Sequence, residues 1–474
     1  MYGAEVAWEI IQKNKDRPIL VYYDADVDGV FAGFIASKWL DSQGLKYQYY
    51  INPNRTHGFK LNVEKLKGYL VIAVDFEIDT DKVQELVLND VCLVSLDHHK
   101  IQDEFVWYQS GNAEGCIINN QYPFEPMNKG YLSGAGVVYE FFCQMDKNFE
   151  NNELKALVGI TLLSDVRPIE NDLAKDYLRT VYNIDTTKGY MRYLMETLQR
   201  GTPSYGFGMP RFDRNFIDFT FSPTINALLR FGREQDALNF IMGGGLPSDD
   251  VRGKQKKLIE LMSDRKYFLE LDNLKVVSCD EDMFQDCKGI NISNFIGYLA
   301  SKEKGVNNSV LAFTYKGNEV TRASFRGRYD DIDYNKAFQS LGVNAQGHKG
   351  AFGIVDFKPT DDIWEKLDKV IGELNKGHRL SATIMEVSNI SVVMVQQGMK
   401  LAEKNSFVRD EFRTYLRYTG TDSKLVSNNS KYFEYLVNGM QVKGFDPNIT
   451  PENGLLLPML EKNHVKLYLR EMIK

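Results

Sequence analysis

The chain has 474 residues, 43% hydrophobic and 12% aromatic, with a formal net charge of −7 and five cysteines that form no CxxC pair. That length and apolar content can bury several cores, about three domains by length alone. No run approaches the about 20 apolar residues of a membrane span, and the opening Met1-Tyr2-Gly3-Ala4-Glu5-Val6 lacks the basic and apolar regions of a signal peptide, so a soluble, cytoplasmic protein with reduced thiols and no membrane partner is expected.

The first apolar run, Ile19 to Tyr23, reads as a strand covered on both faces and exits into Asp24-Ala25-Asp26-Val27-Asp28-Gly29. Alternating acids before a glycine also open a calcium loop, but the glutamate such a loop needs is replaced by an apolar stretch that suits a buried helix from Val30 to Leu40. Leu70 to Val74 is a second such strand and exits into Asp75; a helix follows from Asp79 to Val87, capped by Asp79. Cys92 to Leu96 is a third and exits into Asp97-His98-His99, which holds two of the chain's six histidines; Cys116 to Ile118 is a fourth. Leu157 to Leu163 reads as a buried helix with Asp165 at its end.

Strand alternating with helix predicts a doubly wound parallel sheet, and in such sheets the carboxyl ends of all strands line one edge. A lone acid at a strand end is commonly a helix cap. Four acidic clusters delivered to one edge, two histidines among them, predict a metal centre instead. Carboxylates with imidazole and no cysteine suit Mn²⁺ or Mg²⁺ and argue against a structural zinc site. A pair of such ions can activate a water while neutralising a phosphoryl oxygen, which is the chemistry of phosphoester hydrolysis.

These residues resemble the motifs of the DHH phosphoesterase superfamily, and within it the RecJ-type single-strand-specific exonucleases: Asp24 to Val30 is similar to the first motif and Asp97-His98-His99 to the namesake one. Ile51-Asn52-Pro53-Asn54-Arg55 with Gly58-Phe59, Leu132-Ser133-Gly134-Ala135-Gly136-Val137, and Ser222 to Ala227 with Arg230 resemble further segments of that family. Phe295-Ile296-Gly297, Leu299-Ala300-Ser301, Gly347-His348 and Ala351-Phe352-Gly353 resemble its DHH-associated domain, so the likeness runs over roughly residues 17 to 357. There are departures: Thr224 stands where the family has Arg, Leu229 and Gln346 where it has Gly, and Phe76-Glu77-Ile78 follows Asp75. They spare the suspected ligands and bear on substrate contacts.

The resemblance implies that Asp26 binds one ion and Asp28 the other, that Asp75 bridges them, and that His98 and Asp165 complete the second ion's set. Asp24 is either a further ligand or a support for one. Asp97 orients an imidazole, and His99 is assigned to a phosphate oxygen. Asp75, Asp97, His98 and His99 form the catalytic set, while His99, Arg230, Asn226, Arg326, Gly347 and His348 bind substrate. Read without the resemblance, Gly347 to Gly350 is a simple turn and Arg326 a solvated arginine on an alternating strand.

Four regions are expected: a DHH catalytic domain over 1–200, a helical connector over 201–272 that starts at the break Gly201 to Pro210 and includes a long helix from Asp249 to about Asp272, a DHH-associated α/β domain over 273–378, and a β-rich region over 379–474. Ile384 to Leu401 fits either a helix or two strands. Beyond it Phe412 to Tyr418, Tyr432 to Val437, Met440 to Val442 and Val465 to Leu469 read as short strands of a small sheet or of an oligonucleotide-binding barrel. Tyr415, Tyr418, Tyr432, Phe433 and Tyr435 are candidates for base stacking, although such aromatics are more often core. The net acidity does not exclude nucleic acid, because bound cations offset a cluster of acids locally and Arg211, Arg214, Arg230, Arg233, Lys254, Lys256, Lys257, Arg322, Arg326 and Arg328 supply local positive charge.

The expectation is a monomeric exonuclease using two Mn²⁺ or Mg²⁺ ions to degrade single-stranded DNA from the 5′ end to mononucleotides in repair, recombination or replication. It would act beside a single-strand-binding protein, at the nucleoid of a bacterium or in host cytoplasm if viral. The alternative within the superfamily is a phosphodiesterase of short RNA oligonucleotides or cyclic dinucleotides. A non-enzymatic replication scaffold would be expected to have lost ligands that are present here.

Overall fold

A computed structural model describes residues 1–52, 59–99, 101, 104–123, 132–165, 171–199, 212, 216–264, 267–284, 292–304, 308–317, 319–329, 332–347, 349–360, 362–376, 383–387, 414–420, 422–428, 433–438, 440–444, 450–461 and 464–470. Two compact units are present: residues 1–50, 58–222 and 380–474 in one, 51–57 and 223–379 in the other.

The first unit opens with α1 (Ala4–Asn14), β1 (Ile19–Tyr23), α2 (Val27–Ser42), β2 (Tyr47–Ile51), β3 (Leu70–Val74), α3 (Thr80–Leu88), β4 (Cys92–Asp97), β5 (Trp107–Ser110) and β6 (Ala113–Asn119). The strands lie in the order β2-β1-β3-β4-β6-β5. β1, β3, β4 and β6 run parallel, in the registers Tyr23↔Val74, Val74↔Leu96 and Asp97↔Asn119. Every residue of β1, β3 and β4 is buried, which is why these strands show no polar alternation. Tyr22, Val71, Ala73, Leu93 and Ile117 pack with Val83 and Leu86 of α3. On the opposite face Tyr23 meets Gly33 of α2, and Trp39 of α2 touches Trp8 of α1 and stacks on Phe142 of α4 (Gly134–Met145). The sheet is thus covered on both sides, as the strand pattern predicts. β5, an antiparallel edge strand with an alternating pattern of exposure, and β2 at the other edge escaped the reading.

α5 (Asn152–Ser164), α6 (Asp172–Asn183) and α7 (Gly189–Gln199) follow. α5 and α6 cross at Gly159, where a Cβ would stand 2.4 Å from Val181 and 2.6 Å from the Tyr177 carbonyl oxygen.

In the second unit the sheet order is β11-β12-β10-β9-β8-β7, built from β7 (Tyr267–Glu270), β8 (Leu274–Asp280), β9 (Ser309–Lys316), β10 (Glu319–Arg326), β11 (Asn344–Gly347) and β12 (Ala351–Val355). β8 and β9 are parallel and the other pairs antiparallel. Its helices include α8 (Ser222–Arg230), α9 (Glu234–Asn239), α10 (Val251–Asp264), α11 (Ile292–Lys304), α12 (Tyr334–Ser340) and α13 (Ile363–Lys376). Within the stretch from Asp249 to Asp272, helix occupies 251–264. The aromatic-rich Tyr267-Phe268-Leu269 pairs instead with Val276 to Ser278 as a strand.

The last part of the chain forms a third sheet in the order β13-β14-β18-β19-β17-β16-β15, from β13 (Thr383–Val387), β14 (Thr414–Tyr418), β15 (Lys424–Asn428), β16 (Phe433–Val437), β17 (Met440–Gly444), β18 (Leu455–Glu461) and β19 (His464–Arg470). Tyr418 and Tyr435 are buried in its core with Leu416, Val437, Val442 and Leu456, and Phe433 packs against them. Tyr418 and Tyr435 are core, where burial of a ring stabilises by about 1.5–3 kcal/mol, and do not face solvent as stacking platforms would, while Phe433 is half-buried. Tyr432, the side chain of Tyr415 and most of the stretch from Ile384 to Leu401 lie outside the described residues, as do Pro53 to Gly58, Gly201 to Arg211, Arg214 and His348.

Gly159→Val should lower stability by about 1–3 kcal/mol, because the new methyls meet the Tyr177 backbone, which cannot turn aside as a side chain can. Urea denaturation followed by circular dichroism measures this; an unchanged midpoint would show that α6 is free to shift.

Candidate metal centre

The parallel register carries the strand exits into a row. Asp24 follows β1, Asp75 follows β3, Asp97 ends β4 and Asn119 ends β6, on four adjacent strands. Asp26 caps α2, its Oδ1 accepting the Gly29 N–H at 2.9 Å. Asp28 then falls in the first turn of α2 and is buried. Gly29 is required here: a Cβ would sit 2.5 Å from the Asp24 carbonyl oxygen.

Asp28 is held by the start of another helix. The N–H groups of Gly134 and Ala135, first in α4, donate to its two oxygens at 2.6 and 3.0 Å. Ser133 caps that helix through the Gly136 N–H (3.2 Å), and its hydroxyl bonds that of Thr161 on α5 (2.8 Å). α5 delivers Asp165 immediately after its last residue.

Asp75 sits in the left-handed region at φ 54°, with its N–H donating to the Leu96 carbonyl at 2.9 Å. Its buried Oδ1 accepts no hydrogen bond from any described residue and lies 3.1 Å from Nε2 of His98. Asp28 Oδ2 is 3.8 Å from the same nitrogen. Nδ1 of His98 is 3.2 Å from the Leu132 carbonyl oxygen. A carbonyl can only accept, so the proton is on Nδ1 and Nε2 is the nitrogen turned to the acids.

His99 is oriented by Asp97, whose Oδ1 accepts from its Nδ1 at 2.8 Å. The imidazole that Asp97 supports is therefore that of His99. His98 uses a backbone carbonyl instead.

Two sets of donor atoms each lie within 4.8 Å of one another: Asp75, His98 and His99, and Asp28, His98 and Asp165. His98 belongs to both. Asp24 and Asp26 are in neither set. One oxygen of Asp24 accepts the Ala25 N–H (2.8 Å), while the charge of Asp26 acts on Asp28, Asp75 and His99.

Burial raises the Asp28 carboxyl above its usual range, aided by Asp26 and opposed by His98 and the two α4 N–H groups. Burial, with the charges of Asp28 and Asp26, holds Asp75 well above it. Burial also works against charge on Asp97 and His99, but each favours the ionised form of the other; Asp97 ends below the carboxylate range and His99 is pushed up to about 11. An orphaned carboxylate oxygen facing an imidazole nitrogen, with two further acids beside them, fits a hard divalent cation such as Mn²⁺ or Mg²⁺.

The remaining candidates belong to the second unit. Arg326 is held against α11, donating to Ser301 Oγ (3.1 Å), Ser324 Oγ (2.9 Å) and the Phe325 carbonyl (2.7 Å), over Gly297, where a Cβ would crowd its guanidinium at 2.9 Å. Arg230 lies over the Tyr298 ring at 4.7 Å, and Asn226 is half-buried on α8. Gly347 has φ 135°, a conformation that favours glycine.

Residues 18–163 match the model of the DHH family, N-terminal domain. No curated protein matches the chain by sequence. Among solved structures, RecJ from Thermus thermophilus in complex with Mn²⁺ superposes with a TM-score of 0.68 at 16% identity, covering 99% of this chain and 70% of that one. The same organism's RecJ with Mg²⁺ gives 0.62 at 16% identity over 100% and 69%. An exonuclease RecJ bound to manganese gives 0.52 at 17% identity over 80% and 94%. The family domain and the donor set it carries support a metal-dependent phosphoesterase, a hydrolase of phosphoester bonds. The fold is RecJ-like, and residues 18–163 carry the DHH-family match within it. Among the described residues no helix is long and apolar enough to cross a membrane.

The sequence did not reveal Leu132, Asn119, Asn120 or the backbone of Gly134 and Ala135 as parts of this site. The available signal was topological: Asn119 ends the fourth parallel strand as acids end or follow the other three, and Ser133 before Gly134 is a capping residue.

Two outcomes follow. Because the folded chain without metal holds Asp28 and Asp75 protonated to higher pH than ordinary carboxylates, Mn²⁺ must displace protons and its affinity must rise with pH. Calorimetry at mildly acidic pH in two buffers of different ionisation enthalpy should report net proton release; none would mean the acids are ionised before metal arrives. Gly134→Ala puts a methyl 2.3 Å from Asp75 Oδ1 and should weaken Mn²⁺ binding about tenfold or more. Titration of the folded variant checks it, and wild-type affinity would show that the α4 terminus yields without disturbing Asp75.

Proposed function

We propose that the chain is a two-metal-dependent exonuclease that degrades single-stranded DNA from the 5′ end to mononucleotides, in repair, recombination or replication. The observation that carries this is the buried Asp75 Oδ1, accepting no hydrogen bond from any described residue, beside the acid-facing nitrogen of His98. Asp26, Asp28, Asp75, His98 and Asp165 would hold the ions, with Asp24 in support. Once bound, the pair supplies a nucleophilic water and charge neutralisation at the scissile phosphate.

The protein's own groups do the rest. His99, kept cationic by Asp97, is suited to donate its Nε2–H to a phosphoryl oxygen where charge develops. That proton disfavours His99 as a metal ligand, despite its distance from Asp75 and His98. In the second unit Arg326 is held in place by two serines, and with Arg230, Asn226, Gly347 and His348 it would bind phosphates of the strand. Support for DNA as substrate comes from the RecJ-like fold, three of whose solved examples carry Mn²⁺ or Mg²⁺. A cytoplasmic monomer working beside a single-strand-binding protein is the setting this reading implies.

Incubation with Mn²⁺ or Mg²⁺ and a single strand labelled at either end should release labelled mononucleotide first from the 5′ label, with duplex resistant. Cleavage confined to short RNA or cyclic dinucleotides would overturn the substrate assigned here. Asp75→Ala should abolish turnover, by about 10³-fold or more, in a protein with an unchanged circular dichroism spectrum; retained turnover would remove Asp75 from its central place.

A further inference from the structure

The segment leaving β6 clasps the segment leaving β4. Asn119, paired with Asp97 in the sheet, donates its Nδ2 to the His99 carbonyl at 3.0 Å while its Oδ1 accepts the Gln121 N–H at 2.7 Å. Gln121 Nε2 reaches the His98 carbonyl at 3.4 Å. Asn120 Nδ2 donates to the Leu132 carbonyl at 3.3 Å, the oxygen that also takes Nδ1–H of His98. Asn119 and Asn120 are 1% and 3% exposed. A carboxamide this deep is costly unless its hydrogen bonds are made, and here the bonds that the two Nδ2 groups donate end on the His99 carbonyl and on the one backbone atom that fixes the His98 proton.

The geometry points to Asn119 and Asn120 as positioning residues of the metal centre: Asn120 holds the Leu132 carbonyl where it captures Nδ1–H of His98, and Asn119 anchors the turn through His99. Their effect passes through the imidazoles. If the Leu132 carbonyl moves away, Nδ1 loses its acceptor, the ring is free to place its proton on Nε2, and the nitrogen facing Asp75 and Asp28 is then no longer a donor for a cation. The shared carbonyl also lies directly before Ser133, the cap of the helix that holds Asp28, so the same backbone atom ties both ligands together.

This inference rests on His98 being a metal ligand, and its test reads the ring without metal as well as with it. The full chain carrying ¹⁵N-labelled histidine, stripped of metal, gives the His98 tautomer by long-range ¹H–¹⁵N correlation, with the signal identified by its loss in His98→Gln. The wild type should show Nδ1 protonated. Asn120→Leu, close in shape and without the donor, should move the signal toward the Nε2-protonated form and weaken Mn²⁺ binding, read by calorimetry, about 10–100-fold. Asn120→Ala, which leaves space for a water donor, should fall between the two. A wild-type ring already protonated on Nε2 overturns the role whether or not a variant folds. So do variants that keep the wild-type tautomer and bind Mn²⁺ within about threefold of wild type. A wild-type chain that takes up no Mn²⁺ overturns the metal reading on which the role rests, and the role with it.

Discussion

Two carboxylates, those of Asp28 and Asp75, are buried against one imidazole nitrogen, and the surrounding structure is organised by the electrostatic cost of placing them there. Removing an ion of this size from water costs several kcal/mol even after relaxation. Asp28 recovers part of that from the two N–H groups and the positive end of α4, a setting worth up to about 2 kcal/mol. Asp97 recovers it from His99, and Asp26 stays near solvent. Asp75 Oδ1 accepts no hydrogen bond from any described residue and faces the edge of the His98 ring, while the charge of His99 also favours the ionised carboxylate. The difference between what the protein supplies to Asp28 and what it supplies to Asp75 is what a divalent cation would make good.

The backbone serves the same end. Asp75 adopts a left-handed conformation that costs a residue with a Cβ about 1–3 kcal/mol, although Asp tolerates it better than most. It is held there by the Leu96 carbonyl and by the approach of Gly134, where only a residue without a Cβ fits against the carboxylate. Strain and close approach at one residue are stable only if the neighbours have nowhere else to go, and full burial of β1, β3 and β4 removes that freedom.

Much of this was legible in the sequence. Unbroken apolar runs fixed four parallel strands, and the parallel arrangement placed Asp24, Asp75 and Asp97 on one edge without any knowledge of side-chain contacts. The cap at Asp79 and the position of Asp165 at the end of α5 followed from residue type and pattern. What could not be read was whatever depends on backbone atoms, which carry no residue label: the Leu132 carbonyl, the N–H groups of Gly134 and Ala135, and which imidazole Asp97 would serve. Strands β2 and β5 were missed because each is a short strand at an edge of the sheet without an unbroken apolar run, and Tyr267 to Leu269 because three apolar residues fit a helix end as well as a strand start. Tyr418 and Tyr435 show the limit of composition: an aromatic-rich tail is compatible with stacking on bases, but burial of both rings in their own sheet gives them a different role.

The overall charge of −7 acquires a local meaning in this light. Without a cation, the edge where Asp24, Asp26, Asp28, Asp75 and Asp97 gather is acidic, and the His99 imidazolium bonded to Asp97 through Nδ1 offsets part of that charge. Burial raises the proton affinity of Asp28 and Asp75, so divalent ions held there would compete with protons and would make the edge one that an anion can approach. An acidic phosphoesterase can act on an anionic substrate in this way, because bound cations supply positive charge at the point of chemistry.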